Sequence, residues 1–236
     1  MTTDIGLLAA TAASIGVIHT ILGPDHYLPF AAMARARGWS AARTLWITSI
    51  CGVGHVIGSI VLGGVGLAIG VSLDRLEWIE AIRGDVAAWL LTGFGLAYAA
   101  WGLRRAWRNR PHTHVHEHAD GTQHVHEHRH HDGHLHVHEA AALSITPWAL
   151  FVIFAFGPCE PLIPVLMYPA SQANWASVAL VAVIFAVATI ATMLAAVMLT
   201  RRGLAAVSIA PLARYSHALA GGAIFLCGVG ILALGL

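Results

Sequence analysis

The run HTILGPDHYLP, residues 19–29, interrupts an apolar stretch that extends from Ile5 to Met33. It places His19, Asp25 and His26 where a bilayer core solvates none of them. Ionisable side chains inside a membrane segment are costly, and they mark substrate or ion paths. Gly23-Pro24 and Pro29 break the helix beside them, because proline has no N–H to donate and its ring clashes one turn back. Carbonyls are thereby freed next to Asp25 and His26, as in the discontinuous helices that form midplane sites in transporters. Imidazole nitrogen and carboxylate oxygen together suit nickel, cobalt or zinc. The stretch reads as part of a membrane path for a divalent transition metal. Its bland counterpart is a proline-kinked helix whose polar groups bond a neighbour, which would need no His/Asp/His cluster.

The rest of the chain fits a membrane setting. Of its 236 residues 57% are hydrophobic and 11% charged, against about 25% charged in soluble domains. Apolar runs of about 20 residues, enough to span a bilayer, are expected at 5–33, 44–71, 85–107, 145–168, 175–199 and 211–236. The fold class expected is therefore an all-α polytopic membrane protein with six transmembrane helices. The net charge of +1 selects no acidic or basic partner, and nothing points to nucleic acid. Met-Thr-Thr-Asp4 lacks the positive region of a cleavable signal. Cys51, Cys159 and Cys227 lie in predicted spans without a CxxC pair and form no disulfide framework. Cys51 and Cys227 read as small buried hydrophobes.

All 13 basic residues outside the histidines are arginine. Arg35, Arg37, Arg43, Arg104, Arg105, Arg108, Arg110, Arg129, Arg201, Arg202 and Arg214 fall on one side of the predicted topology, Arg75 and Arg83 on the other. The positive-inside rule puts both termini outside and the arginine-rich loops in the cytoplasm, in a cell (inner) membrane. Most of the eight tryptophans sit at span ends, as an aromatic belt requires.

The second span contains CGVGHVIGS, residues 51–59. Cys51, His55 and Ser59 share one helix face, and Gly54 with Gly58 permits close approach of another helix. His55 is thus expected to be buried against the first span. It lies twelve residues from Arg43, as Gly23 does from Arg35. At about 1.5 Å per residue both reach roughly the middle of a 30 Å core. Residues 72–83 read as an outer interfacial helix or as a loop anchored by Trp78.

Twelve of the 16 histidines crowd into residues 111–140: His112, His114, His116, His118, His124, His126, His128, His130, His131, His134, His136 and His138. Such a tract builds no packed core and is expected to be disordered. Its many exchangeable imidazoles suit capture or buffering of metal. It divides the chain into transmembrane halves at 1–110 and 141–236.

The second half echoes the first. Gly157-Pro158-Cys159-Glu160 aligns with Gly23-Pro24-Asp25-His26, and Gly228 to Leu236 parallels Gly95 to Leu103, at offsets of 134 and 133 residues. Two copies of three spans must be oppositely oriented, giving a 3+3 inverted repeat with helices 1 and 4 broken and the site between the breaks. Cys159 and Glu160 are then expected to face Asp25 and His26 and to line the second half of the same path. Protonation of Glu160 with mere packing of Cys159 is the other reading.

The pattern His19-x5-Asp25-His26 with Gly54-His55, six spans and a His-rich central loop resembles the nickel/cobalt permease superfamily. HTILGPDH is most similar to its urease-accessory transmembrane branch. The resemblance implies transport of nickel or cobalt, and a metal path formed by His19, Asp25, His26 and His55. The expectation is a transporter and not an enzyme. Ni²⁺, Co²⁺ or Zn²⁺ is its substrate, with no permanent cofactor. Its partners are the lipid bilayer and, at the cytoplasmic tract, a metallochaperone. Three other classes compete: a transmembrane thiol–disulfide carrier using Cys159, an intramembrane zinc hydrolase with an activated water, and an exporter of sulfite or another anion, against which the carboxylates argue.

Overall fold

The computed structural model describes residues 2–108, 112–117, 123–128, 145–172, 174–206 and 210–234. The first half folds as α1 (Thr2–Leu22), a 3₁₀ turn at Pro24–His26, α2 (Leu28–Arg37), α3 (Ala41–Ala68) and α4 (Leu73–Arg108). The second folds as α5 (Ile145–Phe156), α6 (Leu162–Ser171), α7 (Trp175–Ala206), a 3₁₀ turn at Ala210–Tyr215 and α8 (Ser216–Leu234). Between them lie two short strands, β1 (His112–Glu117) and β2 (Gln123–His128).

Among the described residues, five helical segments are long and apolar enough to cross a membrane: Ile5–Leu22, Ala41–Gly66, Leu73–Arg108, Trp175–Ala206 and Leu212–Leu234. The expected fourth span departs from this pattern. It consists of α5 and α6, of 12 and 10 residues, each only about 15–18 Å long and too short to cross a 30 Å core alone. The first apolar stretch also divides, at the Pro24 turn. Both Gly-Pro motifs therefore interrupt helices.

Residues 72–83 differ from expectation. They form neither a separate interfacial helix nor a loop, for α4 runs unbroken through 36 residues from Leu73. The charges spaced among Leu73, Leu76, Ile79 and Ile82 belong to its first turns. Leu76 and Glu80 are buried there.

The helix ends follow local chemistry. Gly38 closes α2 in the left-handed conformation at φ 63°, where glycine carries no Cβ penalty. Its N–H and that of Trp39 bond back to the carbonyls of Arg35 and Ala34 at 3.4 and 2.9 Å, the pattern of a Schellman cap.

Packing joins the two halves. α1 and α2 lie on α7, α3 on α5 and α6, and α4 on α8. The α4–α8 contact brings backbone against backbone. A Cβ on Gly95 would overlap Phe225 and Ile224, on Gly102 it would overlap Ala218 and His217, on Gly221 Ala99, and on Gly228 Thr92. The register shows that the two helices run antiparallel, and glycine is what permits the approach. The Gly54/Gly58 face meets Phe151 and Ala155 of α5, and His55 between them is buried beside His26 of the first apolar stretch, as expected.

At one end of the bundle arginines stack on aromatic rings: Arg43 over Trp39, Arg37 over Tyr98, Arg105 over Trp101 and Arg214 over Tyr215. Arg201 donates to the Trp39 carbonyl at 3.2 Å. The ends of α2, α4 and α7 and the start of α8 thus meet there.

In the His-rich tract, expected to be disordered, β1 and β2 pair antiparallel with His112 opposite His128, His114 opposite His126 and His116 opposite His124. Alternation every second residue is the period of a strand, and an isolated hairpin is marginally stable in water. His118, His130, His131, His134, His136 and His138 lie outside the described residues.

Candidate metal site

His19 lies in the last turn of α1, His26 in the turn that follows, and His55 midway along α3. The break sets the His26 ring beside that of His19, and both converge on His55. The ring centroids of His19 and His26 are 4.7 Å apart, those of His26 and His55 5.0 Å, and those of His19 and His55 6.3 Å. One ligand nitrogen from each lies within 4.8 Å of the others. His26 and His55 are buried at 2% and 1% exposure, so this is an interior site.

The hydrogen bonds decide which nitrogens are available. His26 Nδ1 lies 3.1 Å from Asp25 Oδ1 and 3.1 Å from the Gly23 carbonyl. Both are acceptors, so Nδ1 carries the proton. His55 Nδ1 lies 3.2 Å from the Phe154 carbonyl, so it too is the donor. Each neutral ring therefore presents an Nε2 lone pair, and the two Nε2 atoms are 3.3 Å apart. Two lone pairs at that distance repel unless a proton or a metal ion is shared. In a tetrahedral site with metal–nitrogen bonds of about 2.0–2.1 Å, two ligand nitrogens sit roughly 3.3 Å apart. His19 Nε2 is buried without a hydrogen-bond partner, a cost of about 1–3 kcal/mol for an unsatisfied polar atom that ligation would remove.

Asp25 binds His26 on the side away from the cluster. With a metal ion on Nε2 this would be a carboxylate–histidine–metal arrangement, in which the carboxylate fixes the tautomer and raises ligand basicity. It also brings a negative charge to a site built of neutral nitrogens. Gly23 makes room for the His26 ring: a Cβ there would lie 2.5 Å from His26 Nδ1.

The second break contributes differently. A Cβ on Gly157 would lie 2.8 Å from His55 Nδ1, so this glycine makes room for the ring. Cys159 is fully buried in an apolar cluster with Ala12, Val56, Leu162 and Phe185. Its backbone N–H bonds Ser59 Oγ at 3.0 Å and Glu80 Oε2 at 3.1 Å. The structure does not bring Cys159 into the three-histidine cluster. Glu160 is exposed. It lines a cavity of about 370 Å³ together with His19, Asp25, His26, Leu91 and Phe154, and also a shallower cavity with Asp74 and Glu77. Glu160 thus shares the approach to the histidines without joining them. All three cysteines are free and buried.

The structure adds residues that sequence reasoning passed over. Glu80, fully buried, pairs with Arg83, and both reach the second break. His217, at the start of α8, has its Nδ1 2.8 Å from Tyr98 Oη at the arginine-rich end.

No family model, curated protein or solved structure matches this chain.

Proposed function

We propose that this protein carries a divalent transition-metal cation across a membrane, with nickel or cobalt the foremost cargo and zinc the third, and that His19, His26 and His55 bind it midway. One observation carries the reading. Three imidazoles meet in a buried cluster, and two of them have Nδ1 already engaged and Nε2 turned toward each other. Apolar helices and an interior nitrogen site together need a cation that leaves water and enters protein. The acidic approach at Asp74, Glu77 and Glu160 raises local cation concentration and disfavours an anion as cargo. The likeness of His19, Asp25, His26 and His55 to the nickel/cobalt permease pattern points the same way.

Packing supports the 3+3 inverted plan. The first broken span lies on α7 of the second half, the second broken span lies on α3 of the first, and the glycine-lined α4 and α8 meet antiparallel. Exchanging the halves reproduces the pattern, with the two breaks meeting at His55. Such a site suits alternating access. The arginine-stacked end would face the cytoplasm, with both termini outside a cell membrane. The His-rich tract would sit on that cytoplasmic side, collecting metal or exchanging it with a metallochaperone.

Three nitrogens beside a cavity also meet the ligand requirement of a zinc hydrolase, so the test separates the two. Purified protein in liposomes is loaded with a metal-sensitive dye, and Ni²⁺, Co²⁺ and Zn²⁺ are compared in both directions. The expected result is saturable flux that weakens as pH falls, because protons compete for the imidazoles. Hydrolytic turnover of an added ester or peptide without flux would replace this reading by the enzyme.

A further inference from the structure

α5 ends at Phe156; the Gly157 N–H still reaches the carbonyls of Ile153 and Phe154, and the carbonyls beyond them have no partner within the helix. Pro158 supplies no N–H, and the N–H of Cys159 points away from any helix of its own. In most broken helices water or a neighbouring backbone would satisfy these groups. Here side chains from the two neighbouring helices do so. Arg83 of α4 donates through Nη2 to the carbonyls of Ala155 and Gly157 at 3.2 and 3.4 Å, and through Nη1 to Ser59 Oγ at 3.3 Å. Nη1 also pairs with Glu80 Oε1. Glu80 Oε2 accepts from Ser59 Oγ at 3.0 Å and from the Cys159 N–H at 3.1 Å. Ser59 Oγ also lies 3.0 Å from that N–H.

This network is closed: both Glu80 oxygens are occupied, and Arg83 meets two carbonyls with one nitrogen and a carboxylate and a hydroxyl with the other. A buried ion pair seldom stabilises a fold more than apolar residues of the same size would. Its value lies in fixing geometry, and the geometry it fixes is that of residues 155–159. Within or beside that segment lie both contacts that set the His55 ring, the Phe154 carbonyl on Nδ1 and the Cα of Gly157 against its edge. Gly58, next to Ser59, leaves room for the guanidinium, since a Cβ there would lie 2.7 Å from Arg83 Nη2 and 3.1 Å from the Ala155 carbonyl.

We infer that Glu80, Arg83 and Ser59 are positioning residues for His55: they clamp the end of α5 and the break after it, so that the Phe154 carbonyl holds the His55 tautomer and aims Nε2 at His26. The inference rests on the metal reading for its purpose, and on the hydrogen bonds alone for its geometry. Glu80 and Arg83 touch no ligand nitrogen. They act through the backbone of residues 154–157, which is how outer groups tune metal sites at a typical cost of about 10–100-fold in affinity when removed.

The test uses the full chain in lipid nanodiscs with Co²⁺ as probe. The absorption band lost in His55→Ala defines the site and separates it from metal held by the His-rich tract. Arg83→Lys keeps the charge but loses the fork that reaches two carbonyls, and Glu80→Gln keeps the shape. Each is expected to weaken Co²⁺ binding at the His55-dependent site by about 10-fold or more, with tract binding unchanged and the far-ultraviolet helical signal intact. Ser59→Ala, the mildest change, should fall between these variants and wild type.

The nitrogen NMR signals of His55 without metal provide a second measurement. Wild type should show the Nδ1–H tautomer, and Arg83→Lys a mixture. Folded variants with unchanged Co²⁺ affinity and an unchanged His55 tautomer would overturn the inference. If no Co²⁺ band depends on His55, the metal reading fails, and the tautomer alone then decides the clamp.

Discussion

The two helix breaks carry the same Gly-Pro opening and do opposite work. The first, at residues 23–26, presents chemistry: Asp25 and His26 sit in a tight turn, and that turn supplies its own acceptors for His26 Nδ1. The second, at residues 157–161, presents shape. It adds no side chain to the histidine cluster, and its loose backbone groups are satisfied by Glu80, Arg83 and Ser59. Each glycine admits one histidine, Gly23 for His26 and Gly157 for His55. The same Gly-Pro opening thus serves two roles in this chain, carrying polar side chains at one break and a buried backbone at the other.

Substitutions can break this comparison at its strongest point first. His26→Ala should abolish metal flux in liposomes, and Asp25→Asn should lower site affinity by about 10–100-fold while leaving the chain folded. Normal flux in either would remove the first break from the path. Gly157→Ala should come next. Its methyl group falls on His55 Nδ1, so titration with Co²⁺ should show a loss of about 10-fold or more even though no ligand was changed. Gly23→Ala should match or exceed it, and a harmless Gly157→Ala would show that the second break does not shape the site.

Smaller effects sharpen the contrast. Cys159→Ser replaces a buried thiol by a hydroxyl that keeps Ser59 as a partner, so thermal unfolding should report a loss of about 1 kcal/mol or less, with site affinity unchanged. Glu160→Gln should reduce the initial rate of flux a few-fold at low salt and less at high salt, because steering by exposed charge is screened. The smallest effect on flux is expected from deleting residues 112–138. That deletion should lower the number of metal ions bound per chain while transport continues.

Much of this contrast is legible in the primary structure. Ionisable residues amid apolar runs expose themselves, and His19, Asp25, His26 and His55 were all marked by that signal. Gly-Pro marks both breaks because proline ends helices wherever it falls inside one. The division of labour is less legible. Cys159 and Glu160 align with Asp25 and His26, but alignment cannot say that one points into an apolar cluster and the other lines the cavity beside the histidines. Glu80 and Arg83 were hidden by their neighbours: in LDRLEWIEAIR, residues 73–83, charges alternate with apolar residues as on any surface helix. Only the path of α4 past the second break turns that ion pair inward. The glycines of α4 and α8 read as a repeat before they read as a contact, because the partner of each lies more than 100 residues away.

The claim at the centre is that three histidines from α1, the first break and α3 hold the cation together. X-ray absorption at the metal edge tests it most directly, on protein lacking residues 112–138 and loaded with one equivalent of Co²⁺. The predicted spectrum has a nitrogen shell near 2.0–2.1 Å with imidazole scattering behind it, and that scattering is diminished in His19→Ala, in His26→Ala and in His55→Ala. A shell of oxygen or sulfur, or a spectrum indifferent to all three substitutions, would contradict it.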